Sequence, residues 1–224
     1  GTAEALGSEP WEPTAALFVM PGGRDKPYQE KLHPRANARI RAYVERGGRY
    51  LGLCAGAYYA GNTVEFELST PLEVHEPRDL GFFPGIVRGC VYPGFVYDSE
   101  ASAQAVPIQL TDGVANKLGP LINNGSEPIY IYYKGGGAFI GADNMPNAQV
   151  LVRYPEGQAC VVLTQVGSGK TLLSGIHPEI DGTLLNDKDP SYSNGTLVAR
   201  LRASNLARLV LFRYLLEELG LTSD

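Results

Sequence analysis

The stretch from Arg49 to Gly61, RYLGLCAGAYYAG, decides how the chain is read. Its first five residues, RYLGL, are a short apolar run of the kind buried on both faces of a parallel sheet. Two glycines then bracket the cysteine in Gly52-Leu53-Cys54-Ala55-Gly56. Glycine permits a strained turn and close backbone approach, so a buried strand is expected to turn there abruptly into a helix reaching about Ala60. Such a corner holds the side chain out above the sheet edge. A helix N-terminus also favours the thiolate, the nucleophilic form of cysteine. Cys54 therefore reads as a nucleophile on an elbow, in preference to a small thiol packed as a hydrophobe.

The surrounding pattern supplies the sheet. AALFVM, residues 15–20, is a second continuous apolar strand, ending at Pro21-Gly22-Gly23. A helix is expected from about Pro34 to Arg46, with Ala36, Ile40, Tyr43 and Val44 on one face and Gly47-Gly48 as its stop. Strand, helix, strand, helix implies a parallel crossover. Residues 65–127 are loop-rich and show no clean period. From 128 onward hairpins are expected: PIYIYY and AFIG flank Lys134-Gly135-Gly136-Gly137, and AQVLVRY, ACVVLTQV and KTLLSG follow with short turns. A last amphipathic helix spans about Leu197 to Leu219, with Leu201, Leu209, Phe212 and Leu216 on its buried face. The whole of residues 1–224 is read as one domain.

A thiol nucleophile needs a base, and the chain has three histidines. His33 and His75 sit in polar loops and read as solvated. His177 follows the strand TLLSG and opens His177-Pro178-Glu179. Residues two apart in an extended segment face the same side, so Glu179 can reach the second ring nitrogen and fix its tautomer. The result is nucleophile, base and orienter: Cys54, His177, Glu179. The N–H of Ala55 and those of the PGG turn are candidate donors to an oxyanion. GSGKT, residues 167–171, is not a phosphate loop, because the pattern needs glycine where Thr164 stands and a strand follows. KGGG reads as a turn.

Composition excludes other classes. The formal charge of −5 and the lack of a Lys/Arg run argue against nucleic acid as a partner. Apolar runs fall far short of the roughly 20 residues that cross a bilayer, so no membrane is expected. Three cysteines, Cys54, Cys90 and Cys160, cannot all pair internally and lack zinc-ligand spacing, which fits a reducing, cytoplasmic setting with no metal and no cofactor. The sequons at Asn124 and Asn194 read as chance.

These motifs resemble, in their order, the class I glutamine amidotransferase superfamily: PGG after a strand, the elbow GLCAG, the late HPE. More closely, EPWEPTAALFVMPGGRDKPY, FELSTPLEVHEPRDLGFFPGIVRG, YPGFVYDSEA, YYKGGGAFIGAD and LLSGIHPE resemble the N-terminal amidotransferase-like domain of eukaryotic, especially fungal, biotin-protein ligases. The resemblance extends over nearly the whole chain. It implies a flavodoxin-like three-layer α/β sandwich with a mostly parallel central sheet and added hairpins. It also implies Cys54, His177 and Glu179 at triad positions, with Gly22 or Gly23 beside the oxyanion. It further implies a small-molecule substrate of unknown identity and a biotin-protein ligase catalytic domain as partner, in cis or in trans. Glutaminase members carry Gln two residues beyond the elbow's second glycine; Tyr58 stands there. Related domains begin with a strand and helix before EPWEP, so a preceding segment is expected to have been removed or replaced. Two rival expectations are a non-catalytic regulatory or interaction module and a redox or glyoxalase-type member of the same fold.

Overall fold

The computed structural model describes residues 1–122, 128–192 and 195–221. The asparagines of both sequons lie outside them. The expected elbow strand is β2 (Arg49–Leu53), flanked by β1 (Phe18–Met20) and β11 (Gly169–Ser174), both parallel to it. The remaining strands of the central sheet are β10 (Ala159–Val166), β9 (Ala148–Arg153), β6 (Gln104–Leu110) and β7 (Ile129–Tyr133), giving the order β1-β2-β11-β10-β9-β6-β7. A second sheet has the order β4 (Val74–Pro77), β3 (Gly61–Phe66), β5 (Phe83–Gly89), β8 (Ala138–Phe139).

From Tyr50 to Leu53 every residue of β2 is buried, as a strand covered on both faces requires. Tyr50 packs with Ile40, Tyr43 and Val44 of α3 (Arg35–Glu45), joined by α1 (Ala3–Ser8) and α2 (Asp25–Leu32). Leu51 and Leu53 pack on the other face with Val114 and Leu118 of α5 (Asp112–Ile122) and with Leu211 and Leu215 of α7 (Asn205–Glu218). Helices thus cover both faces of the sheet, and the expected three-layer α/β class holds.

Four details differ from the sequence reading. Within the central sheet, parallel pairing is confined to β1, β2 and β11. The short turns joining β9, β10 and β11 force antiparallel neighbours, and β6 pairs antiparallel with both β9 and β7. Even so, only β6 and β10 run against the other five strands. Second, the unassigned middle of the chain builds most of the second sheet, where Val64, Phe82, Phe83 and Val87 bury their side chains against the α3 side. Third, KGGG does not close a hairpin. It carries the chain from β7 to β8, whose partner is β5. The GSGKT turn does join the β10–β11 hairpin.

Finally, the expected last helix breaks at Ser204 into α6 (Leu197–Ala203) and α7. The Ser204 hydroxyl accepts the Tyr130 N–H at 2.9 Å, which ties the break to β7. The break resets the helical phase. Ala207, Arg208, Leu211, Tyr214 and Leu215 face inward, while Leu209, expected in the core, is 52% exposed.

The KGGG crossing imposes a tight steric condition. A β-carbon at Gly136 would lie 1.7 Å from the Gly175 carbonyl oxygen, and one at Gly175 would lie 2.1 Å from that of Gly137. Only glycine fits at this contact between two backbones. Gly136→Ala is expected to destabilise the protein by about 1–3 kcal/mol or more. Gly113→Ala, in open space on α5, should stay within about 0.5 kcal/mol of the parent. Urea denaturation of the two variants checks the contrast, and equal midpoints would refute it.

Candidate functional site

Cys54 follows β2 with φ 48° and ψ −106°, a backbone region that side chains other than glycine's rarely occupy. Strain of this kind costs on the order of 1–3 kcal/mol and persists only where neighbours impose it. They do so here. The Cys54 N–H donates to Ser174 O at 2.8 Å, and the Gly56 N–H donates to Pro21 O at 3.2 Å. A β-carbon at Gly56 would lie 2.0 Å from Met20 O, so the elbow can sit against the end of β1 only as glycine. The helix it opens, α4 (Ala55–Tyr59), is five residues long. Its dipole is correspondingly short.

His177 lies three residues beyond the end of β11, where its N–H donates to Tyr132 O at 2.9 Å. Its Nδ1 lies 2.7 Å from Glu179 Oε1, as the spacing of the two residues predicts. The Cys54 sulfur, which lines the same cavity, also acts on the ring and favours its protonated form. Gly22 closes against both: a β-carbon there would be 3.1 Å from His177 Cε1 and 3.7 Å from Cys54 Cβ. Burial, the largest influence on His177, pulls its pKa down. Hydrogen bonds and charge from Cys54 and Glu179 together outweigh it and raise the value to about 10.

Cys54, Ala55, His177, Gly22, Gly23 and Tyr58 all line one cavity of about 540 Å³. The sequence reading thus named residues that the fold brings together. Among the described residues no acceptor takes the N–H groups of Gly22, Gly23 or Ala55. The PGG turn is held by the Tyr28 hydroxyl, which is 3.2 Å from Pro21 O and 3.1 Å from Gly22 O. Tyr58 donates to Gly135 O at 3.1 Å, and its ring fills the space that side chains at Gly89 and Gly137 would need. His33 and His75 lie away from the cavity, beside Asp79 and Glu65. Among the described residues no group of three or more His, Cys, Asp or Glu is placed to hold a metal ion, and no helix is long and apolar enough to cross a membrane. The cysteines are unpaired.

Three parts of the site escaped the sequence. Lys134 O accepts the Cys54 thiol at 3.4 Å, so the KGGG segment borders the nucleophile. Glu100 takes hydrogen bonds from Lys134 Nζ, at 2.9 Å, and from the Tyr132 hydroxyl. Burial pulls Glu100 upward, but these two donors overcome it and hold its carboxyl below the ordinary range. Buried Arg208 donates to Pro178 O at 2.8 Å and to Asn205 Oδ1 at 2.8 Å, bracing the peptide between His177 and Glu179 from α7. A backbone acceptor carries no signature in the sequence. The arginine was hidden by the assumption of one continuous helix.

Fold and site together define an α/β protein with a strained cysteine elbow, paired to an imidazole and a carboxylate at the carboxyl edge of its sheet. The chain belongs to the family described as "Biotin-protein ligase, N terminal", whose model matches residues 2–224. It is 37% identical over 228 residues to the biotin–protein ligase of Schizosaccharomyces pombe, covering 98% of this chain and 32% of that protein. It is also 35% identical over 173 residues to an uncharacterized protein of Chlamydia muridarum, covering 75% of this chain and 62% of the other. The chain therefore spans about a third of the ligase and less than two thirds of the chlamydial protein. Among solved structures, PurLQS from Thermotoga maritima aligns with a TM-score of 0.42 and 16% identity, over 87% of this chain and 80% of that one.

Two consequences follow for His177. Its native pKa lies above the roughly 6.5 of an unfolded chain. Its protonation therefore contributes stability that is complete below that value and is lost as the pH rises through about 10. Glu179→Gln removes one of the raising charges, so the His177 midpoint, followed by NMR titration of its ring protons, should fall by about one pH unit or more. An unmoved midpoint would show that Glu179 does not act on the ring.

Proposed function

We propose that this chain is a cysteine-nucleophile acyl-transfer or hydrolase domain acting at an amide or ester carbonyl carbon. The observation that carries this reading is the strained Cys54 elbow opening beside a buried His177 that Glu179 orients. In the reaction, Cys54 Sγ forms a bond to the carbonyl carbon with the proton of the Cys54–His177 pair already held on the raised-pKa ring. The oxyanion lies against the free N–H groups of Gly23 and Ala55. The carbon–nitrogen or carbon–oxygen bond then breaks as His177 returns the proton to the leaving group. Water or an acceptor nucleophile, deprotonated by the same ring, releases the acyl group and restores the thiol. No cofactor is needed for these steps, and a reducing, cytoplasmic setting keeps Cys54 as a thiol.

Biotin attachment is not assigned to residues 1–224. In a longer ligase like that of the fission yeast, this domain would act beside the ligase catalytic region, in cis or in trans. A second reading, a non-catalytic regulatory or ligand-binding module, draws support from Tyr58, whose ring is fixed where glutaminases need a substrate-binding Gln.

Intact-protein mass spectrometry with a panel of amides, esters and thioesters separates the two. Catalysis predicts an adduct on Cys54 that forms and then disappears, with acylation slowed by about 10²–10⁴-fold in His177→Ala. Failure of every electrophile to acylate Cys54, or an equal rate in the variant, overturns the catalytic reading.

A further inference from the structure

The cavity beside Cys54 has a second wall whose chemistry differs from that of the triad. Tyr58, Phe66, Phe95 and Tyr97 line it together, each ring meeting the next edge-on: Tyr58 to Phe66 at 5.6 Å, Phe66 to Phe95 at 5.4 Å, Phe95 to Tyr97 at 4.8 Å between centroids. Phe95 rests directly on the glycine segment, since a β-carbon at Gly135 would be 2.5 Å from its ring. The phenol of Tyr58 is spent on Gly135 O.

The charged side chains on the cavity wall are already matched. Arg24 lies 2.6 Å from Asp98 and 4.3 Å from the centre of the Tyr97 ring. Lys134 is paired with Glu100, and Asp25 lies 2.7 Å from Arg78, whose side chain is 1% exposed. What the cavity offers a ligand, among the described residues, is the aromatic wall and the N–H groups of Gly22, Gly23 and Ala55, which have no acceptor. A zwitterionic amino acid would have to displace existing ion pairs to place its ammonium and carboxylate. A flat, uncharged group loses little on leaving water and gains ring contacts. The volume, about 540 Å³, lies in the range of small-molecule sites, roughly 300–1,000 Å³.

We infer that the substrate is an acyl compound carrying a flat aromatic or similarly planar apolar group, with no formal charge next to the reacting carbonyl, and that Phe66, Phe95 and Tyr97 select it. This inference rests on the proposed Cys54 chemistry and names the substrate class for it.

Alkylation of Cys54 tests it. Each reagent forms a sulfur–carbon bond and expels chloride, the thiol proton leaving to His177 or solvent. Rates are measured for chloroacetamide, N-benzylchloroacetamide and a zwitterionic amino-acid chloroketone, mapped to Cys54 by peptide analysis and each divided by the same reagent's rate with glutathione. The benzyl reagent should be favoured over chloroacetamide by about tenfold or more, the gain expected of a buried ring contact. Phe95→Leu, which keeps an apolar side chain and removes the aromatic face, should cut that preference to about twofold or less. Equal normalised rates for the benzyl and parent reagents, or a preference for the zwitterion, overturn the substrate class while leaving Cys54 reactive. A Cys54 inert to all three reagents overturns the proposed function along with it.

Discussion

The segment from Tyr132 to Gly137 is the beam on which the site is hung. Its carbonyl groups receive, in turn, the His177 N–H at Tyr132, the Cys54 thiol at Lys134, the Tyr58 hydroxyl at Gly135, the Tyr133 hydroxyl at Gly136 and the Tyr154 hydroxyl at Gly137. Nucleophile and base come from different strands, yet both are positioned against this one stretch of backbone. The contact with Gly175 locks the beam to the end of β11 just before His177. Each of these hydrogen bonds contributes only about 0.5–1.5 kcal/mol, but a buried carbonyl left without a donor costs more. The arrangement is therefore strongly determined, and it can hold a cysteine in a backbone conformation that a cysteine in open chain would leave.

The same geometry explains the electrostatics. A buried imidazole would ordinarily lose its proton, since burial disfavours the charged form. His177 keeps it because hydrogen bonding and charge from the Cys54 sulfur and the Glu179 carboxylate together outweigh the burial. Nearby, Lys134, Glu100 and Tyr132 form a closed set that adds little net charge to the cavity. The polar groups thus satisfy one another, and the opening they surround is aromatic on one side and rich in backbone N–H donors on the other.

How much of this was legible in the sequence depended on whether a residue acts through its type or through its neighbours. Cys54 between glycines and Glu179 two residues past His177 are local patterns, and strand-end spacing sufficed to place them. The apolar runs of β2, β10 and β11 were equally plain, because strands buried on both faces leave no other composition; β1, expected to be such a strand, lies at the sheet edge and leaves Val19 exposed. The second sheet was not legible. β3 and β5 mix buried and exposed positions without regular alternation, β4 is only four residues long with none of them buried, and β3 pairs across a register shift, so little period survives in the sequence. The break at Ser204 was missed because the amphipathic pattern continues through it, and with it went the buried Arg208 and the true inward face of α7. KGGG looked like a turn because glycine runs usually are turns. Here the glycines are needed where two backbones cross.

The site depends most directly on the coupling between the Cys54 sulfur and the His177 ring. NMR titration of His177 in Cys54→Ala measures it in isolation, without a substrate. Removal of the thiol should lower the His177 midpoint from its raised value by more than about one pH unit while Glu179 remains in place. A midpoint identical in the two proteins would mean that the sulfur and the ring do not act on each other, and the site would not be a catalytic unit.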